Sequence, residues 1–459
     1  MPGSEAMRPK SPAATKPWGP SGNPAGGDLA TATVESLSYD ARGVARIDGK
    51  TVFIEGALPG ERVRFRYFNK YRKYDSGGLM EILEASPDRV TPPCPHFGVC
   101  GGCDLQHLRP EAQIRAKQRI VAEQLAHLGK VEPQHWLAPL TGPALGYRRR
   151  ARLGARHVAS QGGMLIGFRE RRRSFIANLD TCLVLDPKIA ALLPVMRGVI
   201  GELSRPDRIP QVEVAVGDEN SALVFRHLVP LQDRDKELLC AFGERHGIQI
   251  YTQRGGPDSA VALWPSEPRG LYYRLPEFDV EIQFKPADFV QINGAVNRAT
   301  VSQAVRLLAP QSDERVLDLF CGLGNFTLPL ARQAGQVLGV EADADLLERA
   351  RENAQRQGIT NVEFRSADLY QEITPALWGE FRPDKLLLDP PRRGAMEVIK
   401  ALAEPLPSRI VYVSCYPATL ARDSQYLAHV LGYRLETAGV MDMFPQTSHV
   451  ETMALFVRP

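Results

Sequence analysis

From Ala287 to the end of the chain, short apolar strands alternate with helical stretches. ERVLDLF, QVLGVEA, NVEFRSAD, KLLLDP and RIVYVSC each precede a helix, and RLETAGVMDMF and ETMALFVR close the series. Strands that are apolar throughout, rather than at every second position, belong to a parallel sheet covered by helices on both faces. The pattern predicts a Rossmann-like α/β catalytic domain over 289–459, with ligands held beyond the carboxyl ends of its strands.

The chain has 459 residues, 44% hydrophobic and 24% charged, which is too long for one core and too apolar for a disordered or filamentous protein. Residues 1–27 hold six Pro and five Gly among Ala and Ser, a composition read as a disordered arm. Over 28–88, short alternating segments separated by Gly and Asp turns predict a small antiparallel barrel. Residues 89–288 form the remaining part, a mostly β, α+β central domain, with one amphipathic helix over 111–129 whose apolar side is Ile114, Ile120, Leu125 and Leu128. The architecture expected is therefore multidomain α/β. No apolar run reaches the ~18 residues of a membrane span, and residues 1–27 lack the apolar core of a signal peptide. A reducing, cytoplasmic setting is expected, and no obligate protein partner is evident.

A net charge of only +3 hides an uneven distribution. Residues 61–75 place Arg62, Arg64 and Arg66 on one face of a strand and then interleave Lys70, Arg72 and Lys73 with Tyr71 and Tyr74. Cations beside stacking rings suit single-stranded nucleic acid, although an edge strand kept soluble by its charges reads the same. Nine arginines lie between Arg148 and Arg173 with Glu170 as the only acid, a stripe that raises affinity for phosphates without reading sequence.

DLFCGLGNF (318–326) sets a Gly-x-Gly loop between strand and helix, where backbone N–H groups approach an anionic ligand. Glu341 ends the next strand, where an acid accepts ribose hydroxyls, and Asp368 ends the third, where an adenine amino group is met. The third glycine of the dinucleotide fingerprint is missing, so one nucleoside with a short charged tail fits, and S-adenosylmethionine suits the loop better than NAD.

LDPPRRG (388–394) and VSCYPATLARD (413–423) follow the fourth and fifth strands and overhang the same crevice. Asp-Pro-Pro loops serve amino-methyltransferases, but there an aromatic follows the prolines, and Arg392 stands in its place. Cys415 points to another route, in which a thiolate adds to C6 of a pyrimidine so that the inert C5 becomes nucleophilic. A base must then remove the C5 hydrogen, and MFPQTSHVE (443–451) offers Glu451, with His449. The bland alternative for Cys415 is a small buried apolar residue. Cys321, inside the glycine loop, is assigned a structural role. Gln291 and Asn293 in FVQIN (289–293) carry amides for a uracil edge or the cofactor. An N-methyltransferase using Asp389 and its prolines, and a non-catalytic RNA-binding protein, are the competing readings.

Cys94, Cys100 and Cys103 form C-x5-C-x2-C, which favours a metal centre over disulfides in a chain of seven cysteines. Zinc accepts these three with His96, His107 or a remote cysteine, and a [4Fe–4S] cluster takes four cysteines, with Cys182 and Cys240 as remote candidates. Spacing alone leaves the two open.

Taken together, FVQIN, DLFCGLGNF, LDPPR, VSCYPATLARD and MFPQTSHVE closely resemble the motifs of the RNA uracil-C5 methyltransferase family and span most of 289–459. The N-terminal barrel is similar to a TRAM domain, an OB-like module, and barrel plus cysteine cluster point to the branch acting on 23S ribosomal RNA. The resemblance implies that Cys415 is the nucleophile and Glu451 the base. It implies that Gln291, Phe320, Asn325, Glu341, Asp368 and Asp389 line the S-adenosylmethionine site. It also selects Cys182 as fourth ligand with Cys94, Cys100 and Cys103, and an iron–sulfur cluster that braces the RNA-binding part without entering the chemistry.

Overall fold

The structure is a computed structural model that describes residues 27–161, 163–371, 378 and 380–458. The arm expected over 1–27 lies outside the described residues apart from Gly27, as do residues 372–377 and 379 between NVEFRSAD and KLLLDP, where a helix is expected. The chain divides into two compact units between Thr91 and Pro92.

The first unit contains β1 (Leu29–Thr33), β2 (Ser36–Leu37), β3 (Arg42–Ile47), β4 (Lys50–Glu55), β5 (Arg62–Lys70) and β6 (Tyr74–Glu84). They form one sheet in the order β1-β5-β6-β4-β3-β2. The segment from Leu29 to Leu37 pairs with β5 through its first half and with β3 through its second, which closes the sheet around Val52, Ile54, Val63 and Phe65. The expected barrel is not wholly antiparallel: β4 and β6 run parallel, because the chain crosses to β5 before returning beside β4. Nor is the guanidinium face of β5 free of acids, since Arg62 pairs with Glu84 at 3.3 Å and Arg64 with Glu81 at 2.5 Å.

The second unit opens with the cysteine-bearing segment and α1 (Pro110–Gln124), which runs on as one π turn over Leu125–Gly129. Its buried face is Ala112, Gln113, Lys117 and Val121, not the expected Ile114, Ile120 and Leu128, and Leu128 is 46% exposed. Gln113 and Lys117 go inward because polar partners wait for them. After β7 (His135–Trp136) come β8 (Arg150–Val158), β9 (Gly163–Gly167), α2 (Pro187–Glu202), β10 (Gln211–Val216), β11 (Ser221–Arg226), α3 (Asp233–His246), β12 (Gln249–Gln253) and β13 (Ala260–Trp264). A second six-stranded sheet, β13-β12-β11-β10-β8-β9, packs its apolar residues against α2 and α3. Several members of the arginine stripe are spent inside the fold: Arg149 on Asp218, Arg150 on Glu213, and Arg171 on Asp104.

A hairpin of β14 (Leu271–Leu275) and β15 (Val280–Phe284) leads to α4 (Gly294–Leu308) and the third sheet. Its elements are β16 (Arg315–Leu319), α5 (Thr327–Ala331), β17 (Gln336–Glu341), α6 (Ala344–Arg356), β18 (Val362–Ser366), β19 (Lys385–Leu388), α7 (Met396–Lys400), β20 (Arg409–Ser414), α8 (Pro417–His429), β21 (Arg434–Met441) and β22 (Glu451–Val457). The order is β18-β17-β16-β19-β20-β22-β21-β7. The first five strands are parallel, as their apolar runs require, and β22 runs antiparallel to β20. The chain reverses direction across the sheet between β16 and β19, and ligands bind at such a switch point beyond the strands' carboxyl ends. The edge strand β7 comes from much earlier in the chain and pairs parallel with β21.

Candidate active site

At the end of β16 the backbone turns sharply through three left-handed residues, Phe320 (φ 66°), Gly322 (φ 52°) and Gly324 (φ 85°). Glycine adopts this conformation freely, whereas at Phe320 it costs about 1–3 kcal/mol and marks a strained site. The turn is held by Phe320 N–H and Cys321 N–H, both donating to the carbonyl of Val340 at 2.9 and 3.1 Å. Glu341, ending β17, accepts from Gly322 N–H at 3.3 Å on Oε2 and from the N–H groups of Ala342 and Asp343 on Oε1. Its carboxylate is thereby fixed at the strand end beside the glycine loop.

Asn325 exchanges two hydrogen bonds with Asn297 of α4 and accepts a third from Tyr273 Oη at 2.9 Å. Gln291 lines a cavity with Tyr273, Asn297, Arg149 and Arg298, so Gln291 and Asn325 meet through shared neighbours. Asn293 does not reach the crevice with its carbonyl: it is 1% exposed, and Oδ1 caps α4 by accepting from Val296 N–H at 3.2 Å. Asp368 is exposed and caps its own turn, accepting from Tyr370 N–H at 2.9 Å and from Gln371 Nε2, which keeps its carboxyl below the usual range. The Tyr370 ring lies 5.6 Å from that of Phe320 and beneath the Arg393 guanidinium at 4.1 Å.

Under the loop, Asp318 is wholly buried. Oδ2 accepts from Thr327 Oγ1 at 2.5 Å, and Oδ1 has no hydrogen-bond partner among the described residues. Burial first, then the charges of Asp389 and Glu341, push its carboxyl up to about 8. Cys321 is buried beside it, and burial holds its thiol well above the ordinary range.

The reactive pair is set by strand register. The β20–β22 ladder ends at Ser414 paired with Thr452, so Cys415 directly follows and Glu451 directly precedes that last pair, near enough for the Glu451 charge to act on the Cys415 thiol. Asp389 follows β19 next door, its N–H donating to Leu319 O at 3.3 Å. Burial, then the charges of Glu451 and Asp389, raise the Cys415 thiol to about 11. Burial and Asp389 raise Glu451 to about 8 against the opposing charge of Lys117, and burial raises Asp389 to about 7. His449 Nδ1 lies 3.0 Å from Arg392 Nη2, and burial followed by that charge lowers its pKa.

Cys94, Cys100, Cys103 and Cys182 line one cavity with Phe97, Gln106 and Phe168. Burial raises Cys100 and Cys103 to about 11 and about 12, and the neighbouring Cys94 and Cys182 push both in the same direction. Cys240 lies apart, half-buried on α3. His96 lines the cavity, but its Nε2 accepts from Asp180 N–H at 3.3 Å. Among the described residues no group of three or more His, Cys, Asp or Glu side chains is arranged to hold a single metal ion, and no helix is long and apolar enough to cross a membrane.

Sequence reasoning missed Tyr273, Asn297, Asp318, Gln113 and Lys117. Asp318 carried a legible signal, an acid inside an otherwise apolar strand. Asn297 carried a weaker one, standing one helical turn after Asn293.

Comparison with known proteins agrees with this geometry. A family described as tRNA (Uracil-5-)-methyltransferase matches residues 274–458, and the TRAM domain matches residues 27–66. Two relatives, from Thiobacillus denitrificans and Alcanivorax borkumensis, are both named 23S rRNA (uracil(1939)-C(5))-methyltransferase RlmD. The first is 52% identical over 92% of this chain and 98% of its own length, the second 50% identical over 93% and 96%. The solved tRNA (uracil-54, C5)-methyltransferase of Pyrococcus abyssi, in complex with S-adenosyl-L-homocysteine, has a similar fold, with a TM-score of 0.72 and 24% identity over 93% of this chain and 100% of that one. Barrel, methyltransferase sheet and half-identical relatives over nearly their whole length lead to one conclusion: the chain belongs to the RNA uracil-C5 methyltransferase family, in the group of 23S rRNA (uracil-C5)-methyltransferases called RlmD.

Proposed function

We propose that the protein methylates C5 of a uridine in 23S ribosomal RNA, the position its relatives' name gives as uracil 1939, with Cys415 as nucleophile and Glu451 as base. The observation that carries this reading is that Cys415 and Glu451 flank the last β20–β22 pair, Ser414 with Thr452, where the charges of Glu451 and Asp389 both act on the Cys415 thiol. Cys415, its thiol proton released to solvent, adds as thiolate to C6 of a base turned out of its stack, since C6 inside a helix is out of reach. The S–C6 bond raises electron density at C5. S-adenosylmethionine, when bound, supplies the electrophilic methyl group. Glu451 then takes the C5 proton, the C5=C6 bond re-forms, and the sulfur leaves.

Support for the cofactor comes from Asp318 Oδ1, buried beneath the loop with no hydrogen-bond partner among the described residues, and from the fixed Glu341 carboxylate, which suits the hydroxyls of a ribose. Gln291, Phe320, Asn325, Asp368 and Asp389 complete the lining. The four cysteines sharing one buried cavity fit a [4Fe–4S] cluster, whose iron atoms spread the thiolates more widely than a single ion does. Methyl transfer through a thiol adduct moves no net electron, so the cluster braces the fold. Exposed cations of the barrel and of the 148–173 segment, such as Lys73, Arg152 and Arg156, provide the sequence-independent grip on phosphates.

Cys415→Ala lowers methyl transfer by at least about 1,000-fold while cofactor binding persists. Glu451→Ala leaves RNA covalently attached at Cys415, visible as a slower band on a denaturing gel. Normal turnover by Cys415→Ala, or mass spectrometry placing the methyl on nitrogen, overturns the reading and favours the N-methyltransferase.

A further inference from the structure

The loop that carries the chain from β21 into Glu451 is held by a part of the protein with no assigned place in the reaction. Met441 pairs with Glu451 in the β21–β22 ladder, so residues 442–450 form the connection immediately ahead of the base. Lys117 of α1, 1% exposed, donates through Nζ to Asp442 Oδ1 at 2.7 Å and to the carbonyl of Phe444 at 3.1 Å. One turn earlier on the same face, Gln113 donates through Nε2 to Gln446 Oε1 at 3.0 Å and accepts from Gln446 N–H at 3.0 Å. Gln446 is the loop's left-handed residue, with φ 67°, a conformation a non-glycine residue keeps only when its surroundings over-determine it. Here they do: besides Gln113, the N–H groups of Asp104 and Leu105 both donate to Gln446 O, at 2.9 and 3.0 Å.

We infer that Gln113 and Lys117 are positioning residues for Glu451, clamping the 442–446 segment so that the carboxylate meets the C5 proton of the adduct. The two side chains are long and polar, yet they are the buried face of α1. Lysine is almost never fully buried without a partner, and this one is satisfied by the loop. The Tyr147 hydroxyl donates to Pro445 O at 2.9 Å and the Ser448 hydroxyl to Asp104 Oδ2 at 3.2 Å, so the segment is gripped from several sides while Gln113 and Lys117 set its centre. The same contacts join Asp104, the neighbour of Cys103, to the loop, so the cysteine-bearing segment and the base share one support.

This inference rests on the reading of Cys415 and Glu451 given above, and the test separates the two. Lys117→Met and Gln113→Ala are compared with Glu451→Ala using full-length protein, the 23S RNA substrate and S-adenosylmethionine. Displacement of a catalytic group by about 1 Å costs on the order of 100-fold, so both variants are expected to lose roughly that factor in kcat with RNA KM unchanged, and to accumulate the covalent RNA adduct. Gln446→Gly keeps the left-handed backbone and its N–H bond to Gln113 while deleting the side-chain oxygen to which Gln113 Nε2 donates. It is expected to accumulate adduct as well, and it serves where a change on α1 prevents folding. Wild-type turnover without adduct in the folded variants, while Glu451→Ala does accumulate it, overturns the inference alone. No adduct in Glu451→Ala overturns the underlying reading.

Discussion

Three acids of the crevice stand well above the ordinary carboxylate range: Asp318 and Glu451 are pushed to about 8 and Asp389 to about 7, chiefly by burial. Each carboxyl is neutral in the folded chain at a pH where the unfolded chain has already lost its proton. Stability tied to these groups is fully present below the usual carboxylate range and drains away as pH rises through 7 and 8. Glu451→Gln, which cannot ionise, is therefore expected to melt higher than the parent protein, with the difference growing from pH 6 to pH 9. Parallel melting curves of the two proteins check this, and a difference that shrinks with rising pH contradicts it. Glu451 and Cys415 could be marked from sequence because the chemistry needs a thiol and a base near strand ends. Lys117 could not, since a lysine on a helix is ordinarily solvated and only its partner 325 positions away makes it internal.

The glycine loop depends on close approach as much as on backbone freedom. A Cβ built on Gly339 of β17 would lie 2.9 Å from the Phe364 ring and 3.0 Å from Cys321 Sγ. Cys321 is thus a packing atom under the loop, in keeping with a structural role. Gly339→Ala is expected to cost about 1–3 kcal/mol by overpacking and to weaken S-adenosylmethionine binding, because the displaced atoms support Phe320 and Gly322. Calorimetry of unfolding and of cofactor binding reads both effects, and an unchanged affinity contradicts the link. The parallel strands were legible because apolar runs of four to six residues have few other uses. The inward side of α1 was not: periodicity marks apolar residues, and here a glutamine and a lysine occupy the buried positions.

Across the molecule, residues far apart in the chain build each site. Cys182 joins Cys94, Cys100 and Cys103 in one cavity, β7 completes the edge of the methyltransferase sheet, and the 104–117 segment supports the base-bearing loop. Cys182→Ser, purified without oxygen, is expected to lose most of the bound iron and the brown colour of the parent protein. Iron analysis and visible absorbance test this, and a colourless, zinc-loaded parent overturns the cluster. Local patterns in the sequence were sufficient for the α/β sheet and the crevice at its strand ends, because apolar periodicity and turn glycines act over a few residues. Which face of α1 turns inward and what holds Gln446 in its left-handed state were decided only by the tertiary structure. Each depends on a long-range polar contact whose partner no local pattern announces, and whose worth comes from the burial that folding itself creates.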